Sequence, residues 1–91
     1  MESRHILIVE DEASLGRILC DTLRAAGYST TLATDGVAGL EAFDSHRPDL
    51  VIADIMMPRL DGLSMVEQMR RRDSSVEVLF LSARSGAEDV V

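Results

Sequence analysis

The 91-residue sequence predicts an α/β fold built on a doubly wound parallel sheet, and three observations lead there. Short apolar runs recur along the chain, most of them too continuously apolar for a strand with one wet face. Between them lie segments whose apolar residues repeat with the 3.6-residue period of a helix. Strand and helix patterns alternate, which implies parallel pairing through right-handed crossovers, with helices on both faces of the sheet.

The first run, "HILIVE" (5–10), is β-branched, suits a strand covered on both sides, and leads into Glu10, Asp11 and Glu12. Leu15, Ile18, Leu19, Thr22 and Leu23 fall at i, i+3, i+4, i+7 and i+8, which predicts an amphipathic helix over 13–26. Gly27 stands where a left-handed residue commonly ends a helix. "YSTTLA" (28–33) is more polar and fits an edge strand. After the turn "TDG", Val37, Leu40 and Phe43 mark a second helix, stopped by Pro48, which also disfavours helical geometry at Arg47. The third strand covers 49–54. Beyond the loop holding Pro58, "LSMVEQMRRR" (63–72) reads as a third helix, its arginines near the C-terminus where the helix dipole favours cations. "VEVLFLS" (76–82) is the fourth strand, and "RSGAEDVV" (84–91) is compatible with the start of another helix.

A chain of this length holds one small domain with a modest core. The net charge of -7, with all nine basic residues arginine, argues against direct contact with nucleic acid. No apolar stretch approaches the length of a transmembrane helix and "MESRHILIVE" lacks a signal-peptide pattern, so no membrane contact and a cytoplasmic location are expected. The single Cys20 falls among apolar positions of the first helix and reads as a packed thiol.

In open parallel sheets the chemistry gathers beyond the carboxyl ends of the strands. Strand one ends in Glu10 and Asp11, strand three in Asp54 and strand four in Ser82. If these strands lie side by side, three carboxylates and a hydroxyl meet at one rim. A buried carboxylate after "LVIA" carries a desolvation penalty unless a cation offsets it. Hard oxygen donors with no His or Cys cluster point to Mg²⁺ or Mn²⁺ rather than zinc.

The segments "ILIVEDE", "DLVIADIMMPRLDG" and "VLFLSA", in this order and spacing, resemble the receiver domain of bacterial two-component response regulators. The resemblance covers nearly the whole chain. It implies a flavodoxin-like sheet, ordered 2-1-3-4-5 in the complete fold and 2-1-3-4 here. It makes Asp54 the phosphoacceptor, Glu10 and Asp11 the acidic pair that positions Mg²⁺, the Met56 backbone carbonyl a further metal ligand, and Ser82 a contact to a phosphoryl oxygen. The implied partner is a sensor histidine kinase, and the implied role is regulatory rather than enzymatic. Such domains continue through a fourth helix, a fifth strand ending in lysine and a fifth helix. This chain stops at Val91 and has no lysine, so the resemblance makes 1–91 a C-terminally incomplete receiver. An open fourth strand and an uncovered apolar face then predict a homo-oligomer or segment-swapped dimer.

Other readings compete. Asp11 and Glu12 taken alone are helix-start acids, Asp54 alone suits a turn or cap, and Ser82 suits a cap. Asp61-Gly62 is a turn and helix-start signal. His5 and His46 have no second ligand at metal spacing, Met56 and Met57 read chiefly as packing residues, and Arg70 to Arg72 as a solvated helix end. Two further functions remain open: a Mg²⁺-dependent phosphatase, which expects an acid where Met56 stands, and a phosphorylation-independent assembly module.

Overall fold

Odd and even residues of the central strands part to opposite sides of the sheet, and that split organises the structure. The computed structural model describes residues 4–57 and 59–81. Its elements are β1 (His5–Val9), α1 (Ala13–Ala25), β2 (Ser29–Ala33), α2 (Gly36–His46), β3 (Leu50–Asp54), α3 (Gly62–Arg72) and β4 (Glu77–Leu81). Each agrees with its expected range to within a residue or two. The four strands form one parallel sheet in the order β2-β1-β3-β4, with β1 and β3 at its centre. Residue 82, the last of the expected fourth strand, and the segment 84–91 lie outside the described residues.

Successive strand side chains point to opposite faces. Leu7, Val9, Val51 and Ala53 therefore face one way and pack with Phe43 of α2 and Met65, Val66 and Met69 of α3. Ile6, Ile8 and Ile52 face the other way and pack with Cys20 of α1, beside Leu19, Leu23 and Leu32. Helices on both faces explain why β1 and β3 are apolar at consecutive positions: neither strand has a wet side. β2, at an edge, keeps polar residues at Ser29, Thr30 and Thr31.

The helix boundaries have local causes. Asp35 and Asp61 cap α2 and α3, their carboxylates accepting from the N–H groups of Ala38 and Ser64, each at 2.8 Å. At the other end of α2, Arg47 leaves helical geometry as expected ahead of Pro48, and does so in the left-handed region, φ 48, with its N–H on the Phe43 carbonyl.

Two helix faces differ from the expected stripes. Ile18 is 61% exposed, whereas Gly16 and Cys20 are buried. Gly16 lets α1 lie directly on Leu32, where a Cβ would come within 2.6 Å of a methyl carbon, so the contact face becomes 16, 19, 20 and 23. In α2, Val37 is exposed while Gly36, Gly39 and Phe43 are buried. In both helices a buried glycine brings the backbone close, and an apolar residue one or two positions further on faces outward. His5 and His46 stack at 5.3 Å between ring centroids, with the His5 nitrogens 2.8 Å from the Ser29 and Thr31 hydroxyls.

Candidate functional site

The register of β1 on β3 pairs Val9 with Ala53, so Glu10 and Asp54 each follow one residue later at the same rim of the sheet. Asp11 continues the chain out of β1. One carboxylate oxygen from each of Glu10, Asp11 and Asp54 lies within 4.8 Å of the other two. Glu10 is 2% exposed and Asp54 4% exposed, which makes them the buried charged residues among those described; Asp11 is half-buried.

Backbone donors hold Glu10 and Asp54. The Glu12 N–H donates to Glu10 Oε2 at 3.0 Å, and the Met56 N–H donates to Asp54 Oδ1 at 3.2 Å. The Glu10 N–H in turn donates to the Ala33 carbonyl of β2, which ties the acidic segment to the sheet. Met56 is 63% exposed, so its side chain does not pack as the sequence suggested; Met57 does, against the core. Ser82 lies outside the described residues.

Acids this close repel one another. Burial raises the Glu10 carboxyl from 4.5 to about 6; the Glu12 N–H opposes the shift, while the neighbouring Asp54 and Asp11 add to it. The folded protein thus holds this proton more tightly than the unfolded chain. In metal-free buffer, stability should therefore fall as pH rises from 4.5 through about 6. Urea denaturation across that window should show the slope in the native protein and lose it in Glu10→Gln. Equal slopes would contradict the assignment.

The donor set suits a hard divalent cation: three carboxylates, within bridging distance of a single ion, with no thiol or imidazole among them. A cation there would also offset the burial and the repulsion that together lift Glu10. Sequence reasoning found these acids but missed what supports them. Gly62 donates its N–H to the Ile55 carbonyl at 2.8 Å and packs against the backbone of Asp54, and Gly36 packs against Leu60. The signal was the pair Asp-Gly, present at 35–36 and again at 61–62, which reads simply as a turn.

The chain is similar to known proteins in sequence and in fold. The family model described as response regulator receiver domain matches residues 6–91. The transcriptional regulatory protein RprY of Bacteroides fragilis is 38% identical over 90 residues, covering 99% of this chain and 38% of that protein. The uncharacterized transcriptional regulatory protein YkoG of Bacillus subtilis is 42% identical over 91 residues, covering 100% of this chain and 40% of the relative. The chain thus spans well under half the length of these relatives. Among solved structures, the Vibrio cholerae chemotaxis protein CheY4 superposes with a TM-score of 0.87 at 28% identity, over 96% of this chain and 74% of that one. The receiver domain of the Francisella response regulator 1452 gives 0.83 at 28% identity, over 96% and 72%. No helix among the described residues is long and apolar enough to cross a membrane. With the sheet order, the rim acids and a family match over 86 residues in agreement, the chain belongs to the response regulator receiver domain family.

Proposed function

We propose that this chain is the phosphoacceptor portion of a signalling relay, taking a phosphoryl group from a sensor histidine kinase onto Asp54 in a Mg²⁺-dependent reaction. The observation that carries the reading is the convergence of Glu10, Asp11 and Asp54 at one rim of the sheet. Family membership supports it. Glu10, Asp11, Asp54 and the Met56 carbonyl would hold Mg²⁺, and Ser82 would contact the phosphoryl group. Bound there, Mg²⁺ supplies positive charge against the oxygens of the transferring group.

The residues themselves divide the remaining work. An Asp54 oxygen attacks phosphorus as the P–N bond of the kinase phosphohistidine breaks; the imidazole leaves with the bonding pair and takes a proton from solvent. The Met56 N–H orients the Asp54 carboxylate through Oδ1. Glu10 is fixed by Glu12 and does not itself react. The product is a carboxyl phosphate that biases a two-state equilibrium of the domain. In this reading the chain is regulatory, acts in the cytoplasm, and makes no direct nucleic-acid contact, in keeping with its charge of -7.

Incubation with Mg²⁺ and a small phosphodonor, read by intact mass, tests this. The native chain should gain one phosphoryl group, and Asp54→Asn or chelation of Mg²⁺ should abolish the gain. Labelling of Asp54→Asn to the native level would remove Asp54 as acceptor. An assembly module would instead self-associate without any labelling.

A further inference from the structure

We infer that the first turn of α2, through Gly36, positions the loop that carries Met56 beside the acidic rim, and so sets the metal affinity of that rim from outside the ligand set. The inference rests on the reading of Glu10, Asp11 and Asp54 as the metal site.

The loop after β3 is fixed at both ends. At its exit, the Gly62 N–H donates to the Ile55 carbonyl at 2.8 Å and Asp61 caps α3. At its far side it lies on α2. A Cβ at Gly36 would fall inside contact distance of the Leu60 carbonyl oxygen, 2.7 Å from Leu60 Cβ and 3.0 Å from Leu60 Cγ. The absent side chain is what allows the contact. Asp35 works on both elements: Oδ1 accepts from the Ala38 N–H, and Oδ2 lies 3.8 Å from Arg59 Nε. Arg59 adopts φ 73, a left-handed conformation that an arginine holds only when its neighbours fix it.

Loop and metal rim are thus mechanically joined. Met56 donates to Asp54 at one end of the loop, and Leu60 bears on Gly36 near the other. A side chain at position 36 meets backbone, which cannot swing away as a flexible side-chain tip would. It must displace the Leu60 carbonyl, and with it the segment that orients Asp54. Gly36 is a positioning residue: it touches neither a carboxylate of the trio nor any group the reaction uses.

The test is a Mg²⁺ titration of ¹⁵N-labelled protein, following backbone amide shifts. Gly36→Ala should weaken Mg²⁺ binding by about tenfold, as supporting residues around metal ligands generally do. The shifts at Met56 and Leu60 should change before any Mg²⁺ is added. Gly39→Ala is the control for simple loss of packing, since a Cβ there meets Met65 Sδ and Val9 methyls in the core rather than the loop. It should leave Mg²⁺ affinity near native. Should Gly36→Ala fail to fold, Leu60→Ala provides the second arm: it trims the side-chain part of the contact, from Cγ outward, without overcrowding, should also weaken Mg²⁺, and Leu60→Met should restore binding. Native affinity in Gly36→Ala or Leu60→Ala, or equal weakening in Gly39→Ala, overturns the inference. Failure of the native chain to bind Mg²⁺ at all is a different result, which sinks the metal-site reading itself.

Discussion

Phe43→Ala is expected to remove about 4 kcal/mol of folding stability, the largest loss for any single truncation in this core. Phe43 is 1% exposed and is the largest of the fully buried side chains among the described residues. It comes from α2 and packs among Leu7, Val9 and Val51 of the sheet and Met65 and Met69 of α3, so its ring joins three elements. Truncation loses the transfer free energy of the ring and leaves a cavity that neighbours fill only in part. A folded chain of 91 residues has a total stability on the order of 5 to 10 kcal/mol, so this one change removes a large fraction of it. The urea midpoint should drop steeply with little change in slope. By contrast, truncating Ile18, exposed on α1, should change stability by less than about 0.5 kcal/mol. Similar losses at the two positions would contradict the placement of the core.

Gly62→Ala is expected to be nearly as damaging, by about 3 kcal/mol, through overcrowding rather than a cavity. A Cβ at Gly62 would run into the Asp54 carbonyl oxygen and lie 3.0 Å from Ile55 Cα and 3.1 Å from the Asp54 carbonyl carbon. All three are backbone atoms, so no side chain can turn aside to make room. The start of α3 or the end of β3 must move, and the end of β3 is where Asp54 stands. Gly62→Ala should therefore lower the urea midpoint and, at temperatures where it remains folded, also lose phosphoryl uptake on Asp54. A variant as stable as the native chain, with native labelling, would show that α3 and β3 are not in this close contact.

These two cases mark what the sequence discloses. Phe43 was legible as core because it stands in helical period with Leu40, and the uninterrupted apolar run of β3 showed that the strand is covered on both faces. The rim acids were legible for a related reason: a carboxylate that ends a doubly buried strand demands a physical explanation, and three such acids share one. The close approaches at Gly16, Gly36 and Gly62 were not legible. Each depends on a partner 16 to 24 positions away or on the turn of a loop, which no local period encodes. The same blindness misplaced Ile18 and Val37, whose exposure follows from where a neighbouring glycine lets the helix settle. The shift at Glu10 is also beyond pattern reading, because it depends first on how deeply the carboxyl is buried and then on how near the other acids lie.

The central claim is that Glu10, Asp11 and Asp54 form one cation site, and a Mg²⁺ titration of the native chain with residue-by-residue amide readout addresses it most directly. Saturable shifts should centre on residues 10–12 and 54–56 and disappear in Asp11→Asn. No shifts, or shifts centred elsewhere on the molecule, would contradict the account.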